Sequence, residues 1–192
     1  MDPITLGLLM AIGAGGAAAA VRWRKQRGAK RPASAVTSAK PDARREGDPS
    51  AIKVGDVLLW MGDEFWLSGE LRMVREGAPV LRVFTAPEKG RDRWVALTRQ
   101  GDQVYFLDRD TALEGMGWPG VEVPSQGQTL RPVEQASCAI TAQGEVDAGW
   151  EGVGRYAVFR AMETIAVFIE QGSQRVALRG KSVPRRLVEK LG

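Results

Sequence analysis

The sequence predicts an all-β domain behind a single membrane-spanning helix, and three observations carry that expectation. Residues 4–21 hold no charge, whereas the next ten hold six positive ones: Arg22, Arg24, Lys25, Arg27, Lys30 and Arg31. From residue 52 onward, short apolar runs are broken by Gly, Pro and Asp at hairpin spacing. Two stretches of that region also resemble each other at offsets of 71 and 75 residues. The expected architecture is mainly antiparallel, with two pseudo-repeated halves packed as a sandwich or barrel-like unit, an N-terminal transmembrane helix and a short C-terminal helix.

The anchor comes first. An uncharged run of 18 residues makes a helix of roughly 27 Å, close to the thickness of a bilayer's hydrocarbon core. Positive charge stays on the cytoplasmic side, so the basic flank places the amino terminus outside and the rest of the chain in the cytoplasm of a bacterial inner membrane. Residues 1–27 form this unit, with Arg22, Trp23, Arg24, Lys25 and Arg27 at the membrane interface. A cleaved signal peptide is the first rival, although such peptides carry their positive charge before the apolar run. A helix that never inserts is the second, because residues 13–20 are only Gly and Ala. Gly7, Ala11, Gly15 and Ala19 lie four apart on one face and would let a second copy approach closely, giving a homodimer; composition alone also produces that spacing.

Residues 28–51 read as a disordered linker of Ala, Ser, Pro, Gly and charges, with Pro32, Pro41 and Pro49 as breakers. Such a chain spans roughly 25 to 30 Å by the square-root rule. Charge divides at its end: nine Lys or Arg face four Asp or Glu before Ile52, and 18 face 19 from Ile52 onward. The high isoelectric point therefore belongs to the juxtamembrane segment. A domain with balanced charge lacks the basic footprint of a nucleic-acid binder, so no nucleic-acid partner is expected.

Residues 52–192 are the predicted β domain. Candidate strands are 54–60, 65–75, 80–84, 93–99, 104–108, 137–142, 155–160, 164–170 and 175–179. Turn signals at hairpin distance separate them at 61–64, 76–79, 100–103 and 171–174. Pro184 suits a first helical turn, and Leu187, Val188 and Leu191 then share one face, which predicts the closing helix. Residues 94–107 align on 165–178 without a gap, and Gly69-Glu70 and Val83-Phe84 match Gly144-Glu145 and Val158-Phe159. Half-domains of two hairpins could not bury their apolar faces alone and should pack together.

The opening Ile52-Lys53-Val54-Gly55-Asp56-Val57, the hairpin into Leu67-Ser68-Gly69-Glu70, and Arg93-Trp94-Val95-Ala96-Leu97 together resemble the domain of unknown function 4178 family. The stretch from Ala139 through Gly144-Glu145 and Val158-Phe159 to Val183 is similar to that family's second half, so the resemblance covers residues 52–183. It implies a bacterial protein whose relatives occur alongside genes of membrane and envelope stress. It carries over no catalytic residue and no cofactor. Where the family's strand after the first hairpin commonly bears an aromatic or acidic residue, this chain has Val80-Leu81-Arg82-Val83-Phe84.

With no histidine and one cysteine, Cys138, the chain lacks the residues for Ser-His-Asp triads, Cys-His pairs, His- and Cys-based zinc sites and internal disulfides. Cys138 lies in an apolar stretch and reads as a buried small hydrophobe. Glu70 and Glu145 fall at matching points of the two halves, so they are either a carboxylate pair for acid–base or metal chemistry or two solvated turn residues. Trp66 and Trp94 belong to apolar strands and are expected in the core. Trp118 and Trp150 sit between glycines in loops, where they would bind a partner or headgroups, or fold back as plugs. The favoured function is a non-enzymatic, membrane-tethered β domain that binds another protein at the cytoplasmic face, as an adaptor in envelope stress. A peripheral lipid-sensing module is the alternative, followed by a hydrolase using Glu70 and Glu145.

Overall fold

A computed structural model describes residues 51–191 of the chain. The predicted anchor, its basic flank, the small-residue face at Gly7, Ala11, Gly15 and Ala19, and the linker through residue 50 lie outside the described residues. Among the described residues, no helix is long and apolar enough to cross a membrane.

The strands follow in chain order: β1 (Val57–Trp60), β2 (Asp63–Trp66), β3 (Gly69–Arg75), β4 (Ala78–Thr85), β5 (Arg93–Thr98) and β6 (Gln103–Arg109). A one-turn helix, α1 (Thr111–Gly115), leads into β7 (Val123–Ser125), β8 (Gln128–Gly144), β9 (Gly152–Ala161), β10 (Thr164–Gln171), β11 (Gln174–Pro184) and β12 (Glu189–Leu191). The predicted turns at 61–64, 76–79, 100–103 and 171–174 each join two paired neighbours. One predicted strand is two: residues 65–75 break at Leu67-Ser68, and β2 and β3 join different sheets.

Eight strands close into an antiparallel barrel. β3 to β6 form one meander and β8 to β11 another; β6 pairs with β11, and β3 with β8, so no edge of the main sheet is left open between them. Period-two alternation sends Leu71 and Met73, Trp94 and Ala96, Tyr105 and Leu107, Cys138 and Ile140, Tyr156 and Val158, and Val176 and Leu178 into one buried cluster that fills the lumen. The Cys138 thiol is pushed up to about 11 by burial alone, which suits an inert core side chain.

The aligned hairpins 94–107 and 165–178 keep their faces but not their pairing. Trp94 stands opposite Leu107, whereas Ile165 stands opposite Gly180 and Leu178 opposite Val167. The register differs by two residues, an even shift that leaves the same side chains in the lumen. Val83 and Val158 do correspond, facing Ala96 and Val167 respectively.

Gly69 and Gly144, by contrast, are direct partners across the β3–β8 seam. Gly69 opens β3 whereas Gly144 ends β8, which corrects the expectation that Glu70 and Glu145 occupy equivalent points of two halves. The glycine at each side lets two strands cross closely: a β-carbon on Gly69 would lie 2.4 Å from the Glu145 carbonyl oxygen. The other seam uses the same device at Gly180, where a β-carbon would meet the Phe106 carbonyl oxygen at 1.8 Å.

Each meander also has its outer face covered. Ile52, Leu58, Phe65 and Leu67 pack on Phe84, Val95, Leu97 and Phe106 outside the first, with Trp60 stacked on Phe106 at 4.6 Å. Arg93 clamps this layer down, lying 4.0 Å over the Phe65 ring and bonding Asp63 and Glu88 at 3.0 and 2.6 Å. Leu113, Val123 and Leu130 cover Phe159, Phe168 and Ala177 outside the second meander. Asp110 caps α1 by accepting from Leu113 N–H at 3.0 Å and pairs with Arg179 of β11 at 2.7 Å.

The predicted C-terminal helix is a further correction. Arg185–Leu187 makes only a 3-10 turn, after which β12 pairs with β1, Leu191 opposite Val57. The free edge of β1 offers backbone partners that a short isolated helix lacks, and Lys190 reaches Asp56 at 2.9 Å.

Candidate binding site at the barrel mouth

The two ends of the barrel differ in chemistry. At one end the loop between β8 and β9 folds Trp150 onto the lumen cluster, where it is 5 % exposed, and Val146 of the same loop packs on that cluster as well. Gln174 Nε2 donates to the Ala148 carbonyl at 2.7 Å and holds that loop in place. Trp150 is therefore a plug and offers no loop surface to a partner.

At the opposite end the inward positions turn polar. Alternation continues from Trp94 and Ala96 to Thr98, from Leu107 and Tyr105 to Gln103, from Cys138 back to Glu134, and from Tyr156 and Val158 to Arg160. Thr98, Gln103, Tyr105, Glu134 and Arg160, with charged neighbours such as Arg99 and Asp102 and the apolar Val80 and Val133, line a cavity of about 600 Å³ opening to solvent. That volume is ordinary for a ligand site, and barrel mouths are a common place for one.

The hydrogen bonds of the rim leave several groups unused. Tyr156 donates its hydroxyl to Glu134 Oε1 at 2.5 Å, and Ser182 donates to Gln103 Oε1 at 3.0 Å. Arg160 spends only Nε, on the Met162 carbonyl at 2.8 Å. Arg75 is 3.6 Å from Glu76. The Tyr105 phenol is raised above its ordinary value, by burial first; Arg160 opposes the shift, and Asp102 and Glu134 reinforce it. Tyr156 is raised as well, by burial and then by its bond to Glu134. Both hydroxyls are thus protonated donors at neutral pH.

The other expected site residues lie elsewhere. Glu70 is 2 % exposed on the outer face, where Arg82 Nε and Arg72 Nε donate to it at 2.7 and 3.0 Å. Burial alone would raise its pKa, but the two guanidinium groups outweigh that and hold the carboxyl below the usual range. Arg82 also donates to the Ile52 carbonyl at 2.8 Å, so the cluster fastens the start of the domain to the barrel. Glu145 is exposed; its N–H donates to the Ser68 carbonyl at 2.9 Å and its own carbonyl accepts from Thr85 at 3.0 Å. The two carboxylates share no cavity with the mouth. Among the described residues, no group of three or more His, Cys, Asp or Glu side chains could hold a metal ion.

Trp118 is half-buried against the second outer cluster, with Arg155 lying 4.1 Å over its ring. Arg155 in turn donates through Nε to Glu170 at 2.8 Å, and Arg175 does so at 2.7 Å. Trp66, expected in the core, is instead 51 % exposed on β2. The membrane-interface residues Arg22, Trp23, Arg24, Lys25 and Arg27 lie outside the described residues.

The mouth itself was not among the expected sites. Its signal was present in Trp94-Ala96-Thr98 and Gln103-Tyr105-Leu107, where one strand face changes from apolar to polar toward the turn. Glu134 was hidden because Pro132 disguises β8, which bulges between Pro132 and Glu134. No family model, no curated protein and no solved structure matches this chain.

Proposed function

We propose that this chain is a non-enzymatic binding module, tethered by its N-terminal helix to the cytoplasmic face of a bacterial inner membrane, which presents the barrel mouth to a partner protein. The observation that carries this reading is the contrast between the two ends: one sealed by Trp150, the other an open polar cavity of about 600 Å³. A lumen packed with aliphatic and aromatic side chains leaves no room for a lipid or cofactor inside the barrel, so recognition falls to the rim. The charge edge at Arg22 supports the tether and its orientation. The short Gly-centred motifs support kinship with the domain of unknown function 4178 family and its envelope-stress setting. The shared lumen position of Val83 and Val158 supports reading the two meanders as copies of one unit.

Site-specific photo-crosslinking in the intact membrane tests this reading. A crosslinker at Gln100, on the mouth, should yield a discrete protein adduct, and one at Gln174, beside the Trp150 plug, should not. Lipid adducts from Gln100 would favour the lipid-sensing alternative, and identical adducts from both positions would reject the mouth as the binding surface. A carboxyl-terminal reporter active in the periplasm would reject the topology.

A further inference from the structure

Taking the mouth as the binding surface, we infer that its ligand is the carboxyl-terminal end of a partner polypeptide with a basic side chain near that end. The rim holds unpaired charges of both signs. Among the described residues Arg99 and Arg160 pair with no carboxylate, and Asp102 and Glu134 with no cation, although all four border the same cavity. All four are exposed, so charges of both signs around one cavity are open to a ligand. A dipolar ligand that brings one charge of each sign uses both.

A second observation lies on the floor. Tyr105 is 5 % exposed, lines the cavity, and its hydroxyl makes no hydrogen bond to any described residue. The ring is buried while the hydroxyl opens into the cavity, where a ligand can bond it. Its neighbours decide the kind of partner. Arg160 keeps its terminal nitrogens free on the rim and Thr98 adds a hydroxyl, so donors for a carboxylate stand around Tyr105 together with the acidic groups Asp102 and Glu134. Asp102 and Glu134 border the same cavity, and an ammonium or guanidinium from a residue just before the terminus would satisfy them. Val80 and Val133, the latter 60 % exposed, supply an apolar contact for the last side chain.

The shape selects a chain end over a chain middle. Beneath Tyr105 the lumen is filled by Leu107, Val158 and Ile165, so the cavity is blind and a ligand enters from one side only. Capture of a terminal carboxylate is an established way for a domain to read a peptide end-on.

The test uses the full-length protein in detergent, immobilised and offered a randomised pentapeptide pool with free carboxyl ends, with the same pool amidated as a comparison. Retention of the free-acid pool should exceed that of the amidated pool by about tenfold, the scale of one charged hydrogen bond. Lys or Arg should be enriched among the last three positions. Tyr105→Phe and Arg160→Gln should each lower retention severalfold, and Trp118→Ala, on the outer face, should leave it unchanged. Equal retention of both pools, or none of either, overturns the inference; so does displacement by free lysine as effective as by the peptides, which would indicate a small zwitterion instead. A protein adduct at Gln100 together with equal pool retention would leave the binding-module reading standing and remove only the chain-end ligand.

Discussion

Gly180 stands opposite Leu107 across the β6–β11 seam, so close that a β-carbon on it would lie 1.8 Å from the carbonyl oxygen of the preceding residue, Phe106. Backbone, not a movable side chain, occupies the space. Barrel closure at this seam therefore depends on one missing methyl group. Gly180→Ala should destabilise the domain by about 3 kcal/mol, the upper range for overpacking, read as a lowered urea midpoint. A loss under about 1 kcal/mol would show that the seam opens easily and that closure tolerates a side chain there.

Glu70 is expected to matter for folding and not for chemistry. Glu70→Ala takes a buried carboxylate partner from Arg82, which is mostly buried and keeps its bond to the Ile52 carbonyl, and should cost about 3 kcal/mol, as breaking buried ion pairs does. The folded-state pKa values of Glu70 and Glu170 are both lowered by their arginine partners, against the opposing effect of burial. Their stabilising contribution is therefore fully present above the ordinary glutamate pKa and is lost as pH falls through the lowered folded values. Urea midpoints measured between neutral and strongly acid pH should decline across that window. Glu70→Gln should start lower and decline less; an unchanged acid slope would assign the pH dependence to other groups.

Trp150 and Trp118, alike in their glycine-flanked loops, should behave differently. Trp150→Ala uncovers the closed end of the lumen and is expected to cost about 3 to 5 kcal/mol, in line with aromatic truncation in a core. Trp118→Ala removes a half-buried ring and its contact with Arg155 and should cost about 1 kcal/mol. Chemical denaturation of the two variants side by side decides the matter, and equal losses would contradict the plug assignment.

The chain has two tyrosines, and both phenols are raised above the ordinary value of 10.0. An ultraviolet titration of the folded protein should therefore show less than half of the phenolate signal at pH 10, with both groups returning to ordinary behaviour in denaturant. Tyr156→Phe deprives Glu134 of its donor and should cost about 1 kcal/mol. Half or more of the signal at pH 10 would mean that at least one hydroxyl is better solvated than its burial implies.

The residues themselves determined the hairpins. Two-residue turns such as Gly172-Ser173 sit between runs that alternate or are apolar, and partners such as Ile169 and Val176 meet because they are close along the chain. The scarcity of catalytic and metal-binding residue types was equally plain from composition. Tertiary structure alone decided the closure, the mouth and the roles of the tryptophans. Tyr105 pairs with Ser182, and Gly69 with Gly144, over separations that no local pattern encodes. Which face of a strand turns inward was hidden for a related reason: both faces of β5 are buried, one by the lumen and one by the outer layer. A period of two tells lumen from solvent only when one face is wet, and here the second face is covered by segments distant in sequence.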